Sequence, residues 1–339
     1  MNKVLTIVVP TYNAENYLRT NLESFCIKEI MADIEVLVVN DGSTDQSLHI
    51  AEEYAARYPD TYRVLTKENG GHGSGINYGI QYAAGEYFKV VDADDWVSEQ
   101  PFRRLVRTLK TYKADIVYSG FLWAYDNGTG DISTFKTKPE IKKPFAGVEY
   151  NKVYSFDEVS DRLYVKMHNM TIRTAILKEH NIHMDEGCYY VDTEYITYPI
   201  PYVETICFAK GYVYMYRIGR GGQSISLEKM QKNEANYDKV LKALIQFYQN
   251  LGKDIPCSSA KKDYLAGMIA RVVAGKMKIA LSLPANHQQK KKMQAYDNHL
   301  KKICPDVYYK NINWAVEALR KSHYRMYAIG SFCVRKRYL

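Results

Sequence analysis

Short apolar runs recur along the first hundred residues, and segments of helical length separate them. The runs occupy residues 4–9, 34–39, 62–65 and 87–91. Helix-compatible patterns occupy the intervening residues 15–29, 45–57 and 73–84. Short runs of Val, Ile and Leu without alternation are typical of parallel strands that are covered on both faces. The pattern therefore predicts an α/β fold with helices on both faces of a parallel sheet.

Polar side chains directly follow three of these runs. They are Thr11 and Tyr12 after the first, Asp41 after the second, and Asp92, Asp94 and Asp95 after the last. In open α/β sheets ligands bind beyond the carboxyl ends of the strands, so the three clusters predict one site. Hard divalent cations prefer oxygen ligands, and they bridge carboxylates to substrate phosphates. An exposed acidic turn is the alternative for the three aspartates.

Four segments in a fixed order carry a more specific signal. They read IVVPTYNAENYL at 7–18, VVNDGSTDQS at 38–47, ENGGHGSGINYGI at 68–80 and VVDADDW at 90–96. In this order they resemble the nucleotide-binding half of a family 2 glycosyltransferase with the GT-A fold. Residues 189–194 are similar to the catalytic-base segment of that family, and residues 216–225 to its Tyr-Arg … Ser-Ile segment. No motif of the family is visible beyond about residue 226.

The resemblance implies a domain organisation. Residues 1–100 correspond to the nucleotide-sugar-binding half of a GT-A domain, with a Rossmann-like sheet and helices on both faces. Residues 101–225 correspond to the acceptor-binding half; within them, residues 115–119 have a strand pattern and residues 129–143 read as a polar loop. Residues 226–339 are expected to form a helical C-terminal region with a basic tail.

The resemblance also implies the metal site. Asp94 occupies the position of the usual metal ligand of the family, and Asp92 and Asp95 lie close to it in sequence. Asp92 is also expected to contact the ribose or a metal-bound water. The implied cofactor is Mn²⁺ or Mg²⁺, which neutralises charge on a departing diphosphate.

The same comparison gives the donor pocket. Asp41 stands at the base-reading position, where a carboxylate accepts the imide N–H of uracil or thymine; a helix cap is the alternative for this residue. Thr11 and Tyr12 should line the nucleobase pocket. Asn69 and Gly71 belong to a glycine-rich, flexible loop whose backbone amides are expected near the donor. The loop departs from the family, which commonly has Ala-Arg-Asn where this chain has Gly-Ile-Asn at residues 75–77. The donor contacts that the missing arginine would make are therefore not assigned, and His72 is a candidate to replace it.

Two further groups complete the expected active site. Asp192 is the candidate general base, because inverting transfer needs a carboxylate within reach of the acceptor hydroxyl. The family commonly has Glu-Asp at this point, whereas this chain has Val-Asp, so Glu194 is the fallback. Arg217 and Arg220 suit diphosphate oxygens by their guanidinium geometry, and ordinary surface pairing is the alternative for both.

Composition changes this picture only in detail. The chain has 339 residues and six scattered cysteines without metal-site spacing. Its longest apolar stretch, at 264–281, contains three cations, which argues against a membrane span. We see no secretory signal, so reduced thiols and a cytoplasmic location are expected.

Charge suggests a partner. The net charge is +8, and residues 320–339 contain six cations and no acid among several aromatic residues. Basic and aromatic residues together suit an anionic membrane surface, which would place the protein at the inner face of the cell membrane. A solvated basic helix is the alternative. Nucleic acid is not expected, because no nucleic-acid-binding module is visible.

The sequence therefore predicts an inverting, metal-dependent transferase of a hexosyl or N-acetylhexosaminyl group. The expected donor is a nucleotide sugar, UDP-linked in the first place, and the expected acceptor is a glycan, lipid-linked, in polysaccharide assembly. A processive synthase is disfavoured because no tryptophan follows an arginine. A nucleotidyltransferase and a non-catalytic nucleotide-sugar-binding protein remain as alternatives.

Overall fold

The structure is a computed structural model that describes residues 3–141, 145, 147–219 and 226–338. The chain forms two compact units, Met1–Gly221 and Gly222–Leu339. The further division of the first unit near residue 100 stays a prediction.

The first unit is built on one mixed sheet. Its described residues form ten strands: β1 Leu5–Thr11, β2 Ile34–Asp41, β3 Tyr62–Lys67, β4 Tyr87–Val90, β5 Trp96–Val97, β6 Ile116–Tyr125, β7 Lys136–Pro139, β8 Val153–Ser155, β9 Met170–Arg173 and β10 Thr205–Ile218. The strand order is β3-β2-β1-β4-β9-β6-β10-β5, with β7 paired to β6 and β8 to β10. Strands β3, β2, β1 and β4 are mutually parallel. Both β1 and β2 are buried along their whole length, which explains why their sequences do not alternate.

Seven α-helices accompany this sheet in the described part of the first unit. They are α1 Glu15–Glu23, α2 Ser47–Arg57, α3 Gly71–Tyr82, α4 Glu99–Thr111, α5 Phe156–Val159, α6 Thr174–Glu179 and α7 Asp192–Thr197. Five short 3-10 helices lie at Met31–Asp33, Ile132–Thr134, Ser160–Arg162, Met167–Asn169 and Ile200–Tyr202. The α/β fold class is confirmed.

Two local expectations were wrong. The first predicted helix ends at Glu23 instead of residue 29. Phe25, Ile27 and Ile30 are all buried, and their spacing suits successive turns better than one helix face. The predicted polar loop at 129–143 contains β7, which pairs antiparallel with β6.

The glycine-rich stretch is not a flexible loop. Helix α3 begins at Gly71, so most of the stretch is helical. A side chain at Gly73 would collide with the backbone carbonyl of Asp185, and one at Gly75 would lie 3.0 Å from Pro10. The glycines therefore let α3 lie close to β1 and to the segment that leads to α7.

The second unit is helical, as predicted. Its described residues form α8 Leu227–Lys232, α9 Glu234–Asn250, α10 Ser259–Ser282, α11 His287–Ile303, α12 Pro305–Tyr309, α13 Trp314–Lys321 and α14 Tyr327–Tyr338. Side chains of Ser258, Asn286 and Asn313 accept amide hydrogen bonds at the starts of α10, α11 and α13, as helix caps do. None of the described helices is both long and apolar enough to cross a bilayer.

Candidate active site

The acidic turn, residues 92–95, follows β4 directly, and hydrogen bonds from α1 and β10 hold it in place. The side-chain amide of Asn21, on α1, donates to the carbonyls of Asp92 at 2.9 Å and Asp95 at 2.8 Å. The Tyr214 hydroxyl, on β10, donates to the Asp95 carboxylate at 2.5 Å, and the Arg217 amide donates to it at 2.7 Å. Burial, together with the charges of Asp94 and Asp92, raises the pKa of Asp95 well above its usual value. Asp95 therefore anchors the turn.

An open cleft of about 490 Å³ lies in front of this turn. It is lined by the ends of β1 and β2, the start of α3, the acidic turn and residues 187–189. Among the residues expected from the sequence, the cleft brings together Thr11, Tyr12, Asp41, Asn69, Gly71, Asp92 and Asp94. The three strand ends therefore do meet in one place.

The Asp41 carboxylate accepts several hydrogen bonds. Its Oδ1 accepts hydrogen bonds from Lys67 Nζ at 2.8 Å and the Gly70 amide at 2.9 Å, and its Oδ2 accepts one from the Gly71 amide at 2.8 Å. The Asn69 side chain donates to the Asp41 carbonyl at 2.9 Å. A carboxylate offers about four acceptor positions, so one position on Oδ2 is left beside the cleft.

The end of the cleft at β1 has two different walls. Tyr12 is 54% exposed, whereas Thr11 is buried and its hydroxyl donates to the Val9 carbonyl at 3.0 Å. Asn13 fixes the turn between them and β2: it has a φ of 49°, and its side-chain oxygen accepts the Thr44 amide at 2.8 Å.

A group with metal-ligand geometry lies at the other end. Ligand atoms of Asp92, Asp95 and His168 lie within 4.8 Å of one another. In the described part of the chain, Nδ1 of His168 is buried without a hydrogen-bond partner. Burial lowers the pKa of His168 to about 3, so its imidazole is neutral and keeps a lone pair for a cation. Two carboxylates and a neutral imidazole fit a divalent cation. Asp94 lines the cleft outside this three-residue group.

His72 and Asp192 complete the polar surface near the turn. Nε2 of His72 lies 2.9 Å from Oδ1 of Asp92. Although burial works against it, the carboxylates of Asp92, Asp192 and Asp94 raise the pKa of His72. Asp192 is the first residue of α7, and burial raises its pKa while the His72 charge partly offsets this effect. These groups share one electrostatic environment.

Glu194 points elsewhere. It is fully buried, and its Oε2 accepts the Asp185 amide at 2.7 Å. Asp192 is partly exposed and lies near His72, although it is not among the residues that line the cleft, so the geometry favours it over the fully buried Glu194 as a carboxylate open to a ligand.

Of the two arginines predicted to contact the diphosphate, only Arg217 lies within the described residues. Arg217 is 3% exposed; its guanidinium pairs with Asp126 at 3.0 Å, donates to the Asp94 carbonyl at 2.9 Å and lies about 5 Å from three aromatic rings. It does not line the cleft, so its contacts favour support of the acidic turn over the predicted diphosphate contact. Arg220 lies outside the described residues.

Sequence reasoning missed several supporting groups. His168 precedes β9 in a segment without a motif, and Lys67 ends β3 as an ordinary basic residue. Lys89, inside β4, donates to the carbonyls of His168 and Met170, and burial lowers its pKa to about 7. A lysine inside an otherwise apolar run was the one available signal, because such a residue must find buried partners.

Comparisons with known proteins agree with this geometry. The model of "Glycosyl transferase family 2" matches residues 6–179. The minor teichoic acid biosynthesis protein GgaB of Bacillus subtilis is 30% identical over 254 residues, which are 74% of this chain and 26% of GgaB. The putative glycosyltransferase EpsH of the same organism is 30% identical over 223 residues, 63% of this chain and 60% of EpsH. The chain thus spans about a quarter to three-fifths of these relatives.

Solved structures share the fold. The crystal structure of S. aureus TarS 1–349 in complex with UDP-GlcNAc has a TM-score of 0.68 at 19% identity, over 99% of this chain and 91% of that one. The mannosyltransferase PcManGT from Pyrobaculum calidifontis, in complex with GDP-Man and Mn²⁺, has a TM-score of 0.51 at 14% identity, over 99% and 87%. At these identities the likeness shows the fold alone.

Proposed function

This chain belongs to glycosyl transferase family 2 and has the GT-A fold, and from that premise we propose that it transfers one sugar from a nucleotide sugar to a glycan acceptor with inversion. One observation carries the proposal. A single cleft has a buried, tethered carboxylate, Asp41, at one end and the acidic turn at the other. Such a cleft suits a ligand with a nucleobase at one end and a diphosphate at the other.

The donor is proposed to be a UDP-sugar. The remaining acceptor position on Oδ2 of Asp41 matches the imide N–H of uracil, and the exposed ring of Tyr12 offers an aromatic face to the base. The UDP-GlcNAc and UDP complexes of TarS support this choice of nucleotide. The transferred group is then a hexosyl or N-acetylhexosaminyl group.

A divalent cation, Mn²⁺ or Mg²⁺, is proposed as the cofactor. Asp92 and His168 of the three-residue group would hold it, together with Asp94 of the cleft. Both carboxylate oxygens of Asp95 already accept hydrogen bonds from β10, so Asp95 would keep the turn in place. When bound, the cation supplies neutralisation of the charge that develops on the departing diphosphate. His72, whose pKa the neighbouring carboxylates raise, would add a positive charge beside Asp92 when protonated and would help to hold the phosphate oxygens.

Asp192 is proposed as the general base. It accepts the proton of the acceptor hydroxyl while that oxygen attacks the anomeric carbon from the face opposite the diphosphate. The bond from the anomeric carbon to the diphosphate oxygen breaks in the same step, which inverts the configuration. Its raised pKa makes the carboxylate a stronger base than an exposed aspartate.

The acceptor is proposed to be a growing glycan on a membrane lipid carrier. The relationship to GgaB, a teichoic acid biosynthesis protein, supports a surface-polymer pathway. The second unit supports proximity to a membrane: Tyr309, Ile312, Trp314, Met326, Ile329 and Phe332 are all exposed, within a stretch whose last acid is Glu317. The protein would then work at the inner face of the cell membrane.

The test is a donor screen. Purified protein is incubated with UDP-, GDP- and ADP-sugars labelled in the sugar, with Mn²⁺ or with EDTA, and released sugar is measured. We expect slow, Mn²⁺-dependent hydrolysis of a UDP-sugar and retention of GDP- and ADP-sugars. In a parallel incubation with added pyrophosphate, formation of UTP and a sugar 1-phosphate would indicate a nucleotidyltransferase, and tight binding without hydrolysis would indicate a non-catalytic binder.

A further inference from the structure

A row of aromatic side chains leads away from the acidic turn along β6 and β10. The Tyr216 ring stacks on His168 with centroids 4.5 Å apart. The Trp123 ring lies 5.0 Å from that of Tyr216, and the Phe121 ring lies 5.4 Å from that of Trp123. Trp123 and Tyr216 are half-buried, whereas Phe121 belongs to the core. The row of Tyr216, Trp123 and Phe121 therefore begins at the metal-ligand group and offers partly open ring faces.

A fixed charged pair lies beside this row. Lys166 Nζ is 2.7 Å from Oε1 of Glu140, and their side chains are 26% and 14% exposed. The same ammonium lies 5.4 Å from the Phe121 ring centroid and 5.6 Å from that of Trp123. The pair thus holds one donor group and one acceptor group in place next to aromatic faces, as cation–π contacts and charge-assisted hydrogen bonds allow.

Past the charged pair the row continues into a cavity of about 190 Å³. Phe121 and Glu140 form one wall of it, and most of the other walls are aromatic: Tyr118, Phe145, Tyr150, Phe208 and Tyr212. The aromatic row, the charged pair and the cavity therefore make one continuous surface on the first unit. It starts at the carboxylates and ends away from the donor cleft.

We propose that this surface binds the acceptor, and that the acceptor is a linear saccharide chain. A sugar ring has apolar C–H faces and polar hydroxyl edges, so it matches ring faces that are flanked by fixed hydrogen-bonding groups. The end of the chain would meet Asp192, while the preceding units lie over Trp123 and reach the Lys166–Glu140 pair. This inference rests on the proposed function, because it assigns the second substrate of the same site.

The location argues against core packing as the whole explanation. Phe121 and Tyr214 are less than 2% exposed. Trp123 and Tyr216 pack against the same core but are only partly buried, so each keeps some exposed area. The Tyr216 ring stacks on His168, whose ligand atom lies within 4.8 Å of those of Asp92 and Asp95, so the row comes close to the acidic turn.

The test separates acceptor binding from donor binding. Maltohexaose, cellohexaose and chitohexaose are titrated against the protein by saturation-transfer NMR, and UDP binding is measured in parallel by calorimetry. We expect at least one hexasaccharide to bind the wild type. Trp123→Ala and Lys166→Gln should weaken that binding at least about tenfold, or 1.4 kcal/mol, with UDP affinity unchanged. Tyr82→Ala, which removes an exposed aromatic ring on α3, is the control and should bind both ligands normally.

Each other outcome is decisive. If no hexasaccharide binds the wild type, or if Trp123→Ala and Lys166→Gln both bind as the wild type does, the surface does not hold a saccharide chain. If Trp123→Ala loses UDP binding, the substitution has disturbed the fold. The saccharide affinity of Lys166→Gln then decides whether the surface binds the chain. If the wild type itself does not bind UDP, the proposed function fails, whatever the hexasaccharides do.

Discussion

The aspartates of the acidic turn have different roles because they are buried to different extents. Asp95 is 1% exposed and has both carboxylate oxygens bonded to β10, whereas the Asp92 side chain is 25% exposed and faces His72. A carboxylate whose oxygens already have partners contributes to the fold, and one that faces the cleft is available to a ligand. His168, with its buried unpartnered nitrogen, belongs with the second kind.

These placements give a prediction about the metal. Asp94→Ala and His168→Ala should each weaken Mn²⁺ binding at least about tenfold, because removal of groups around a bound metal commonly costs 10–100-fold in affinity. Free Mn²⁺ measured by EPR in the presence of UDP gives the affinity directly. His183→Ala is the matched control, since His183 is an exposed histidine of the same unit. Wild-type affinity in both test variants would remove the assignment.

Asp192→Asn is predicted to keep UDP affinity and to lose transfer by at least about 10²-fold, the lower end for loss of a general base. Burial raises the pKa of Asp192 above its ordinary value of 3.8. The carboxylate is a base only when ionised, so the wild-type kcat/KM should fall with decreasing pH at a higher pH than an exposed aspartate would give. This acid limb should vanish in Asp192→Asn.

Glu194→Gln is the comparison for the general base. Since Glu194 is buried and accepts the Asp185 amide, the change should lower stability and leave the pH profile intact. Normal transfer by Asp192→Asn together with inactive, folded Glu194→Gln would reverse the assignment.

Asp41→Asn is predicted to change which base binds. The remaining oxygen of the amide would keep the Lys67 and Gly70 contacts, so the amide N–H₂ would replace Oδ2 beside the cleft and the hydrogen bond from the Gly71 amide would be lost. A donor there repels the imide N–H of uracil and suits the N3 acceptor of cytosine. UDP affinity should fall at least about tenfold, in line with 1.5–3 kcal/mol for a hydrogen bond to a charged group, and CDP should gain relative to UDP.

The control for this prediction is Asp45→Asn. Asp45 accepts the Glu15 and Ser47 amides near the same loop but does not line the cleft. It should bind UDP and CDP as the wild type does. An unchanged UDP-to-CDP ratio in Asp41→Asn, measured by calorimetry, would separate Asp41 from base recognition.

Sequence reasoning reached the residues of the site that are adjacent to strand ends. Asp41, Asp92 and Asp94 follow apolar runs, and parallel strands bring such positions to one edge. His168 and Tyr214 reach the same site from elements whose pairing depends on contacts far apart in sequence. Their local sequence carries no sign of that position, and the buried state of Arg217 was likewise invisible.

At the scale of elements, the tight packing of α3 on β1 is a consequence of glycine. An alanine Cβ at Gly79 would lie 2.5 Å from Cγ1 of Val8, which is fully buried. Val has little freedom to move away. Gly79→Ala should therefore destabilise the first unit by about 1–3 kcal/mol, the usual cost of overpacking. The measurement is the midpoint of unfolding in urea, which should be lower than that of the wild type.

A second glycine makes the control. Gly267 lies inside α10, and an added Cβ would meet no atom closer than 3.8 Å. Gly267→Ala should stabilise its helix by about 0.4–1 kcal/mol, because alanine loses less backbone entropy. Equal effects of the two substitutions would show that the close approach of α3 to β1 has no energetic consequence.

The parallel part of the sheet was predictable because three of its four strands, β1, β2 and β4, are buried along their whole length. The sequence pattern predicts strands β1 to β4 to within two residues at each end. The remaining order, with β9 between β4 and β6, depends on long-range pairing. The pattern of one strand does not specify its neighbour. The helical nature of 226–338 followed from periodicity, whereas the glycine-rich residues 71–75 were misassigned because their helix is stabilised by packing.

At the scale of the molecule, the basic tail turns out to have two parts. Arg320 pairs with buried Asp297 at 2.7 Å, and the Tyr324 hydroxyl donates to the same carboxylate at 2.5 Å. These residues therefore belong to the fold of the second unit, and truncation before residue 320 would leave Asp297 buried without them. The exposed face of α14 and the turn before it is different: Arg325, Met326, Ile329, Phe332 and Lys336 are all exposed.

This face gives a prediction about membranes. Apolar side chains flanked by cations suit the headgroup region of an anionic bilayer, where each cation near the surface contributes about 1 kcal/mol. The wild type should sediment with vesicles that contain anionic lipid at low salt and should release as salt rises, because the screening length shortens to about 8 Å at physiological ionic strength. Vesicles of neutral lipid should retain much less protein.

The decisive comparison uses two double variants with the same change in charge. Ile329→Glu/Phe332→Glu places acids on the α14 face and should abolish sedimentation with anionic vesicles. Tyr82→Glu/Val153→Glu replaces two exposed apolar residues of the first unit and should retain most of it. Both should still bind UDP, since neither pair lies in the cleft. If the two double variants sediment equally, net charge alone governs the attraction and α14 does not dock. If the wild type stays in solution at low salt while analytical ultracentrifugation shows a dimer that Ile329→Glu/Phe332→Glu dissociates, the face is covered by a second copy of the chain.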